Sequence, residues 1–301
     1  MPAKLIDGNA LAAEIRGEVA RGVADLKSQY GLTPGLAAVL VGDNAASSMY
    51  VGMKEKACAE VGILSHVFRL PNNVSKEELF ELIRQINRDP RFQGILVQFP
   101  VPPHIDQREI VKVVAPEKDI EGLHPQNMGL LALGEPEFVP CASAAIQRLI
   151  QASGTEPSGK HVVIISNTMT VGKPTAILLM QNRPGGNATV TVCHDRTVDL
   201  PSLTRQADVL ISGVGIAGFI KADMVKKGVV VIDVGINRIE DSTRKHGYRI
   251  VGDVDFEGVS KKASAITPVP GGVGPMTIAV LMSNTLKAAR MSVEALGTIS
   301  R

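Results

Sequence analysis

At 301 residues, with 45% hydrophobic and 21% charged side chains, the chain has the profile of a globular protein with room for two domains, not of a disordered one. A formal charge of +2, no block of Lys or Arg, no Trp, three Tyr and seven Phe give neither the basic footprint nor the stacking platforms of a nucleic-acid binder. Three widely spaced cysteines without a CxxC (Cys58, Cys141, Cys193), an N-terminus with acids in it and no apolar run near ~20 residues predict a soluble cytoplasmic protein with reduced thiols and no membrane partner.

Helical periodicity runs from Leu11 to Gln29. The continuous apolar run Gly35 to Gly42 fits a strand buried on both faces. A polar loop, Asp43 to Ser48, leads to a helix capped by Ser47 or Ser48. His66 to Phe68 reads as a second strand. Ser75 with Glu78 forms a capping box for a helix ending near Asn87. Gly94 to Phe99 is a third strand, stopped by Pro100, Pro102 and Pro103. Lys118 to Ala144 reads as irregular chain, and Ala144 to Ser153 as a linking helix. Strand–helix alternation restarts at Lys160: strand 161–165, helix 175–180, strands 188–193, 208–212 and 229–233. Alternation of this kind predicts parallel βαβ units in two α/β domains. The last helix, Thr277 to Met291, is expected to cross back onto the first domain.

The helix after the first strand places Tyr50 and Lys54 four residues apart on one face, a phenol beside an amine. Partial burial would lower the lysine pKa and let it pass a proton near neutral pH. The same spacing is common on solvated helix faces, so the pair needs company to count as a site. Three glycine-rich turns supply it. The strand 161–165 is followed by Ser166-Asn167-Thr168-Met-Thr-Val-Gly172-Lys173-Pro174, where Gly172 permits close backbone approach and Pro174 suits a first helical position. Gly213-Val-Gly215-Ile-Ala-Gly218 is a literal GxGxxG, yet no helix follows at once, so it reads as a later strand-end loop lining the cleft. Pro270 to Thr277 is a third such turn and is not a phosphate-binding loop of the GK[ST] type. Each alone is an ordinary βα turn; together at strand ends they mark a cleft. No His, Asp or Glu set has metal-ligand spacing, so no metal is expected.

Several segments, in order, resemble the bifunctional methylenetetrahydrofolate dehydrogenase/methenyltetrahydrofolate cyclohydrolase (FolD) family. They are YVGMKEKACAEVGI, GILVQFPVPPHI, EKDIEGLHPQNMG, VVIDVGIN, VGDVDFE and ITPVPGGVGPMTIAVLMSNTL, and they cover essentially the whole chain. The resemblance implies a three-layer α/β folate domain (1–146 with 280–301), a Rossmann-type parallel-sheet NAD(P) domain (147–279) and a homodimer. It implies oxidation of 5,10-methylenetetrahydrofolate and hydrolysis of the methenyl product to 10-formyltetrahydrofolate. Lys54 would be the acid/base, Tyr50 its orienting or stacking neighbour, and Gln98 the hydrogen-bond partner that tunes it. Glu121 would bind the pterin, with Pro268, Gly272, Val273 and Pro275 shaping the folate cleft. Ser166, Asn167, Thr168, Gly172, Lys173, Asp195, Arg196, Gly213, Ile236 and Thr277 would form the cofactor site.

The chain departs from the family pattern where ligands should sit. The usual KDVDG is KDIEG, which puts a longer carboxylate at Glu121; NPAS is NAAS, and CTPxG is Cys141-Ala142-Ser143-Ala144-Ala145. GRS is Ser166-Asn167-Thr168, and HSRT is His194-Asp195-Arg196-Thr197. A neutral Asn167 and an anionic Asp195 would then meet the adenosine ribose, where an acid binds a 2′-hydroxyl and repels a 2′-phosphate. NAD is therefore expected over NADP, although Arg196 and Lys173 keep NADP open. Two alternatives stand beside the bifunctional enzyme: a dehydrogenase without the hydrolase step, and a silent folate- or nucleotide-binding paralogue.

Overall fold

The computed structural model describes residues 3–244 and 247–299, the side chains of 296–299 excepted. Two compact units emerge: Ala13–Cys141 with Ile278–Arg301, and Met1–Ala12 with Ala142–Thr277. This differs from the expected division in giving the N-terminus to the second unit. There the two-residue strand β1 (Lys4–Leu5) runs parallel to β11 (Ala265–Ile266). Lys4 N–H donates to the Ser264 carbonyl at 2.8 Å and Ile6 N–H to that of Ile266 at 2.9 Å. So short a strand carries no periodic signal, and only its pairing defines it.

In the first unit, α1 (Gly8–Tyr30) leads to β2 (Gly35–Val41), α2 (Ala45–Val61), β3 (Leu64–Leu70), α3 (Lys76–Arg88) and β4 (Gly94–Val97). The three strands form a parallel sheet in the order β3-β2-β4. Every residue of β2 is buried, as its unbroken apolar run requires of a central strand covered on both faces. Ala37, Val39 and Val41 face Leu79, Ile83 and Ile86 of α3. Leu36, Ala38 and Leu40 alternate to the other face. Helix α2 packs on β2 and β3, and none of its residues belongs to the α3-side cluster.

The capping box of α3 is present as expected. The cap of α2 is Asn44, not Ser47 or Ser48: its side chain accepts the Ser47 N–H at 3.0 Å, so the helix begins inside the stretch expected to be loop. The short α4 (Gln107–Ile110) and α5 (Pro125–Leu133) follow. Helix α5 lies in the segment expected to be irregular; it is capped by the His124 ring and opened by Pro125.

The second unit contains α6 (Cys141–Ala152), β5 (His161–Ile165), α7 (Gly172–Met180), β6 (Thr189–Cys193), α8 (Leu200–Thr204), β7 (Val209–Ser212) and β8 (Val230–Asp233). An antiparallel hairpin, β9 (Asn237–Glu240) and β10 (Tyr248–Val251), is an addition that the sequence reading missed. After α9 (Phe256–Val259) and β11, α10 (Val273–Ile299) ends the described chain. The main sheet is six-stranded and all parallel, in the order β1-β11-β8-β7-β5-β6. The chain leaves β5 toward β6 on one side and later returns to β7 on the other. The resulting switch point between β5 and β7 is where a doubly wound sheet opens a crevice at its carboxyl edge.

Candidate active site

Lys54 lies on α2, one turn after Tyr50. Gln98 stands at the carboxyl end of β4, its N–H fixed on the Val39 carbonyl of the central strand at 2.9 Å. The Lys54 Nζ donates to Gln98 Oε1 at 2.9 Å, and Gln98 Nε2 donates to the Phe99 carbonyl at 2.7 Å. The amide is thereby held in one orientation, with its oxygen turned to the amine. Burial lowers the Lys54 pKa, while the charge of Glu121 and the Cys141 and Cys58 thiols pull it back up. Desolvation wins, so the neutral amine is within reach nearer physiological pH. Burial pushes the Tyr50 phenol up and keeps it protonated.

Glu121 faces the same amine. Burial raises its carboxyl to about 7; Lys54 opposes the rise and Asp119 adds to it. Its place is set by the preceding peptide, whose Ile120 carbonyl accepts from Asn284 Nδ2 at 2.8 Å and from Cys141 Sγ at 3.3 Å. Asn284 on α10 also donates to the Val139 carbonyl at 3.3 Å. Asp119, only 4% exposed, accepts from the His124 N–H at 2.7 Å and Asn127 Nδ2 at 2.8 Å, and burial lifts it to about 6. Sequence reading singled out Glu121 but neither Asn284 nor Asp119. The acid two residues earlier in KDIEG was the available signal for Asp119.

The other residues singled out lie in the second unit. Ser166, Asn167 and Thr168 form the turn after β5. The Thr168 carbonyl accepts the Lys173 N–H at 3.1 Å, and its hydroxyl accepts the Val171 N–H at 3.2 Å. Gly172 opens α7, two residues before Pro174, so Pro174 is not the first helical residue as expected. A Cβ on Gly172 would stand 1.7 Å from the Ser166 carbonyl oxygen, so only glycine lets helix and strand end meet this closely. Asp195 and Arg196 are exposed in the turn after β6, where the His194 carbonyl accepts the Thr197 N–H at 3.0 Å. Gly213 follows β7, and Ile236 follows β8 at 47% exposure.

Pro268 and Gly272 lie between β11 and α10; Val273, Pro275 and Thr277 lie in the first turns of α10. The Thr277 hydroxyl donates to the Val273 carbonyl at 3.0 Å. The structure thus gathers Tyr50, Lys54, Gln98 and Glu121 in one unit, and the glycine-rich turns in the other. Arg183 and Pro184 of the expected surface insertion are exposed, whereas Gly185 and Gly186 are buried. Among the described residues no group of three or more His, Cys, Asp or Glu is placed to hold a metal ion, and no helix is long and apolar enough to cross a membrane.

A half-buried lysine held by an amide on one α/β unit, and a doubly wound parallel sheet with a glycine-tightened first turn on the other, are the features of a dinucleotide-binding enzyme. Residues 6–121 match the profile of the tetrahydrofolate dehydrogenase/cyclohydrolase catalytic domain, and residues 140–293 match that of the NAD(P)-binding domain. The bifunctional protein FolD of Myxococcus xanthus is 50% identical over 291 residues, 96% of this chain and 99% of the relative. The crystal structure of the bifunctional FolD dehydrogenase/cyclohydrolase from Campylobacter jejuni is 47% identical, with a TM-score of 0.89 over 96% of this chain and 99% of that one. The FolD of Trypanosoma brucei, solved with NADP cofactor and inhibitor, is 39% identical, with a TM-score of 0.93 over 97% of this chain and 99% of that one.

The chain belongs to the tetrahydrofolate dehydrogenase/cyclohydrolase family. It is an enzyme of one-carbon metabolism with both activities, dehydrogenase and cyclohydrolase, and it binds a nicotinamide dinucleotide.

Proposed function

We propose that Lys54, oriented by Gln98, is the acid/base of the hydrolytic step. The observation that carries this is the 2.9 Å contact of its Nζ with a fixed amide oxygen, combined with burial that favours the neutral amine. Water attacks the methenyl cation and Lys54 takes one of its protons, giving a neutral carbinolamine. Lys54 returns that proton to N5 as the C–N5 bond opens, and the remaining hydroxyl proton leaves to solvent as the formyl C=O forms, giving 10-formyltetrahydrofolate. Tyr50 packs beside the folate. Glu121, titrating near neutrality, binds the polar edge of the pterin, and Pro268, Gly272, Val273 and Pro275 shape the folate cleft. The unit with Lys54 handles folate and the other unit the dinucleotide. Lys54→Met should abolish methenyl hydrolysis while leaving folate affinity within about twofold; hydrolysis that persists at more than about a hundredth of the wild-type rate would remove Lys54 from this role.

The dinucleotide fits the β5–α7 turn. The close approach at Gly172 brings the start of α7, with its helix dipole, up to the strand end where a doubly wound sheet receives a pyrophosphate. Bound there, the nicotinamide supplies the hydride acceptor for the methylene carbon. Ser166, Thr168, Gly172 and Lys173 hold the phosphates; Gly213, Ile236 and Thr277 line the remainder. Asn167 and Asp195 meet the adenosine ribose, so NAD is preferred to NADP, with Arg196 and Lys173 as the residues able to soften the preference. The comparison of kcat/KM for the two cofactors tests this, and a preference of about tenfold for NADP would overturn it.

A cytoplasmic setting is supported by three unpaired buried cysteines. Homodimer formation rests on the family resemblance; light scattering at about twice the mass of the 31.9 kDa chain would support it.

A further inference from the structure

Two aspartates with no part in the acid–base chemistry stand behind the loops that follow β7 and β8. Asp253 is fully buried, and Asp233 is 4% exposed. Asp253 Oδ2 accepts the N–H groups of Val214 at 2.7 Å and Gly215 at 3.1 Å, and the Ser212 hydroxyl at 3.4 Å. Its Oδ1 accepts from Asn237 Nδ2 at 2.8 Å. Asp233 Oδ1 accepts the N–H of Gly235 at 2.9 Å and that of Asp253 itself at 3.0 Å, and its Oδ2 accepts the N–H of Val254 at 3.0 Å. Each carboxylate therefore reaches out of its own segment, Asp233 to residues 253–254 and Asp253 to the loop after β7 and the start of β9.

The glycines around them are consequences of this arrangement. A Cβ on Gly235 would stand 2.2 Å from Asp253 Oδ1, and one on Gly252 would stand 1.9 Å from Asp233 Oδ2. Two buried carboxyls this close together are costly unless donors surround them. Burial and the neighbouring Asp253 lift Asp233 to about 6, while N–H groups from three residues pull it back. The donors are mostly backbone N–H groups, so the charges fix loop geometry more than they fill a core.

Those loops lie on one side of the switch point. With β6 and Asp195 on the adenosine side of β5, the other half of a dinucleotide extends over β7 and β8. There the loops leave large apolar side chains in solvent, Ile216 at 46% and Ile236 at 47% exposure, as a platform for a flat ring would need. We propose that Asp233 and Asp253 are positioning residues of the dinucleotide site. They form a reciprocal clasp that sets the 213–218 and 234–237 loops to receive the nicotinamide half. This rests on the placement of the dinucleotide given above.

The test uses the full-length chain with Asp253→Asn and, separately, Asp233→Asn, each keeping shape while turning an acceptor into a donor that meets N–H groups head-on. The Kd for NAD and for NADP is measured by calorimetry without folate, alongside KM and kcat for oxidation. Hydrolysis of methenyltetrahydrofolate is followed without dinucleotide. The clasp predicts that dinucleotide Kd and KM rise by about tenfold or more, while KM for methylenetetrahydrofolate and the hydrolysis rate stay within about twofold. A dinucleotide Kd within about twofold of wild type would overturn it. Ile236→Glu separates the two ideas: if it leaves the dinucleotide Kd unchanged, the placement of the cofactor is wrong and the clasp falls with it. If it weakens binding while both aspartate variants do not, the clasp alone falls. Should the aspartate variants fail to fold, Asn237→Ala removes one orienting donor and carries the same readouts, with about threefold expected and an unchanged Kd decisive against.

Discussion

Replacing Glu121 by Gln should make the unit that carries Lys54 more stable above neutral pH and, on the proposed role of Glu121, weaken folate binding. The carboxyl titrates at about 7 in the folded protein against 4.5 unperturbed, chiefly because it is buried. Folding therefore takes up a proton between those two values: the unfolded chain is ionised there and the native chain is not. Stability is undiminished below about 4.5, falls as pH rises through the window, and reaches its low plateau above about 7. At ~1.4 kcal/mol per pH unit the full loss would be ~3.4 kcal/mol, and partial solvent access brings it to ~1–2 kcal/mol. Gln cannot ionise, so its advantage over wild type should open across this window and then stay constant. Asp119, raised the same way to about 6, contributes to both curves; only the part of its effect that acts through Glu121 remains in their difference. Urea unfolding of the two proteins, followed from pH 4.5 to 8.5 by a probe on the first unit, reads the difference directly. A variant no more stable than wild type at pH 8, or a difference independent of pH, would refute the burial of this charge. The same variant should raise KM for methylenetetrahydrofolate, the trade expected when a destabilising group is kept for binding.

Gly172→Ala places a methyl 1.7 Å from the Ser166 carbonyl oxygen, so the β5–α7 turn must open by more than an ångström. Dinucleotide Kd should rise about a hundredfold, with hydrolysis of methenyltetrahydrofolate left intact, as calorimetry and a cofactor-free assay would show. Asp195→Ser removes the exposed carboxylate after β6 and should raise NADP efficiency relative to NAD by about tenfold in paired steady-state assays. Asn284→Ala leaves the Ile120 and Val139 carbonyls without their amide donor; it should cost ~1–2 kcal/mol in urea unfolding and raise KM for folate more than it changes kcat.

The sequence was most legible where one residue's chemistry and one short period suffice. Strands β2 and β5 are unbroken apolar runs between turns, and β5 was located to the residue. The Ser75–Glu78 capping box is complete within four residues. The Lys54–Gln98 contact spans 44 residues and became visible only through the family resemblance, since nothing local to either residue demands the other. The elements that were missed are defined by partners. Strands β1 and β11 have two residues each and exist as strands because each pairs with a neighbour. The β9–β10 hairpin alternates only half-buried with exposed residues, and its loop holds no two-residue turn signal. Asn44 was passed over as a cap because two serines followed it, although Asn is at least their equal at that position.

What the chain keeps and what it changes follow different physical constraints. The amine–amide contact at 2.9 Å depends on α2, β2 and β4 together, and on the proposed role of Lys54 an error of an ångström there would cost about a hundredfold in rate. No single substitution can compensate, because Gln98 is held by the central strand and Lys54 by the helix packed upon it. Asp195 and Arg196 stand exposed after an outer strand of the sheet, where an aspartate in place of a serine disturbs no packing and adds a negative charge, which on the proposed placement would face the adenosine ribose. On that placement, cofactor choice would change without touching the amine–amide contact. Glu121 is intermediate: its longer side chain keeps a carboxyl within the electrostatic reach of Lys54, so a change there shifts the proton affinity of the amine and, on the proposed role, folate binding with it.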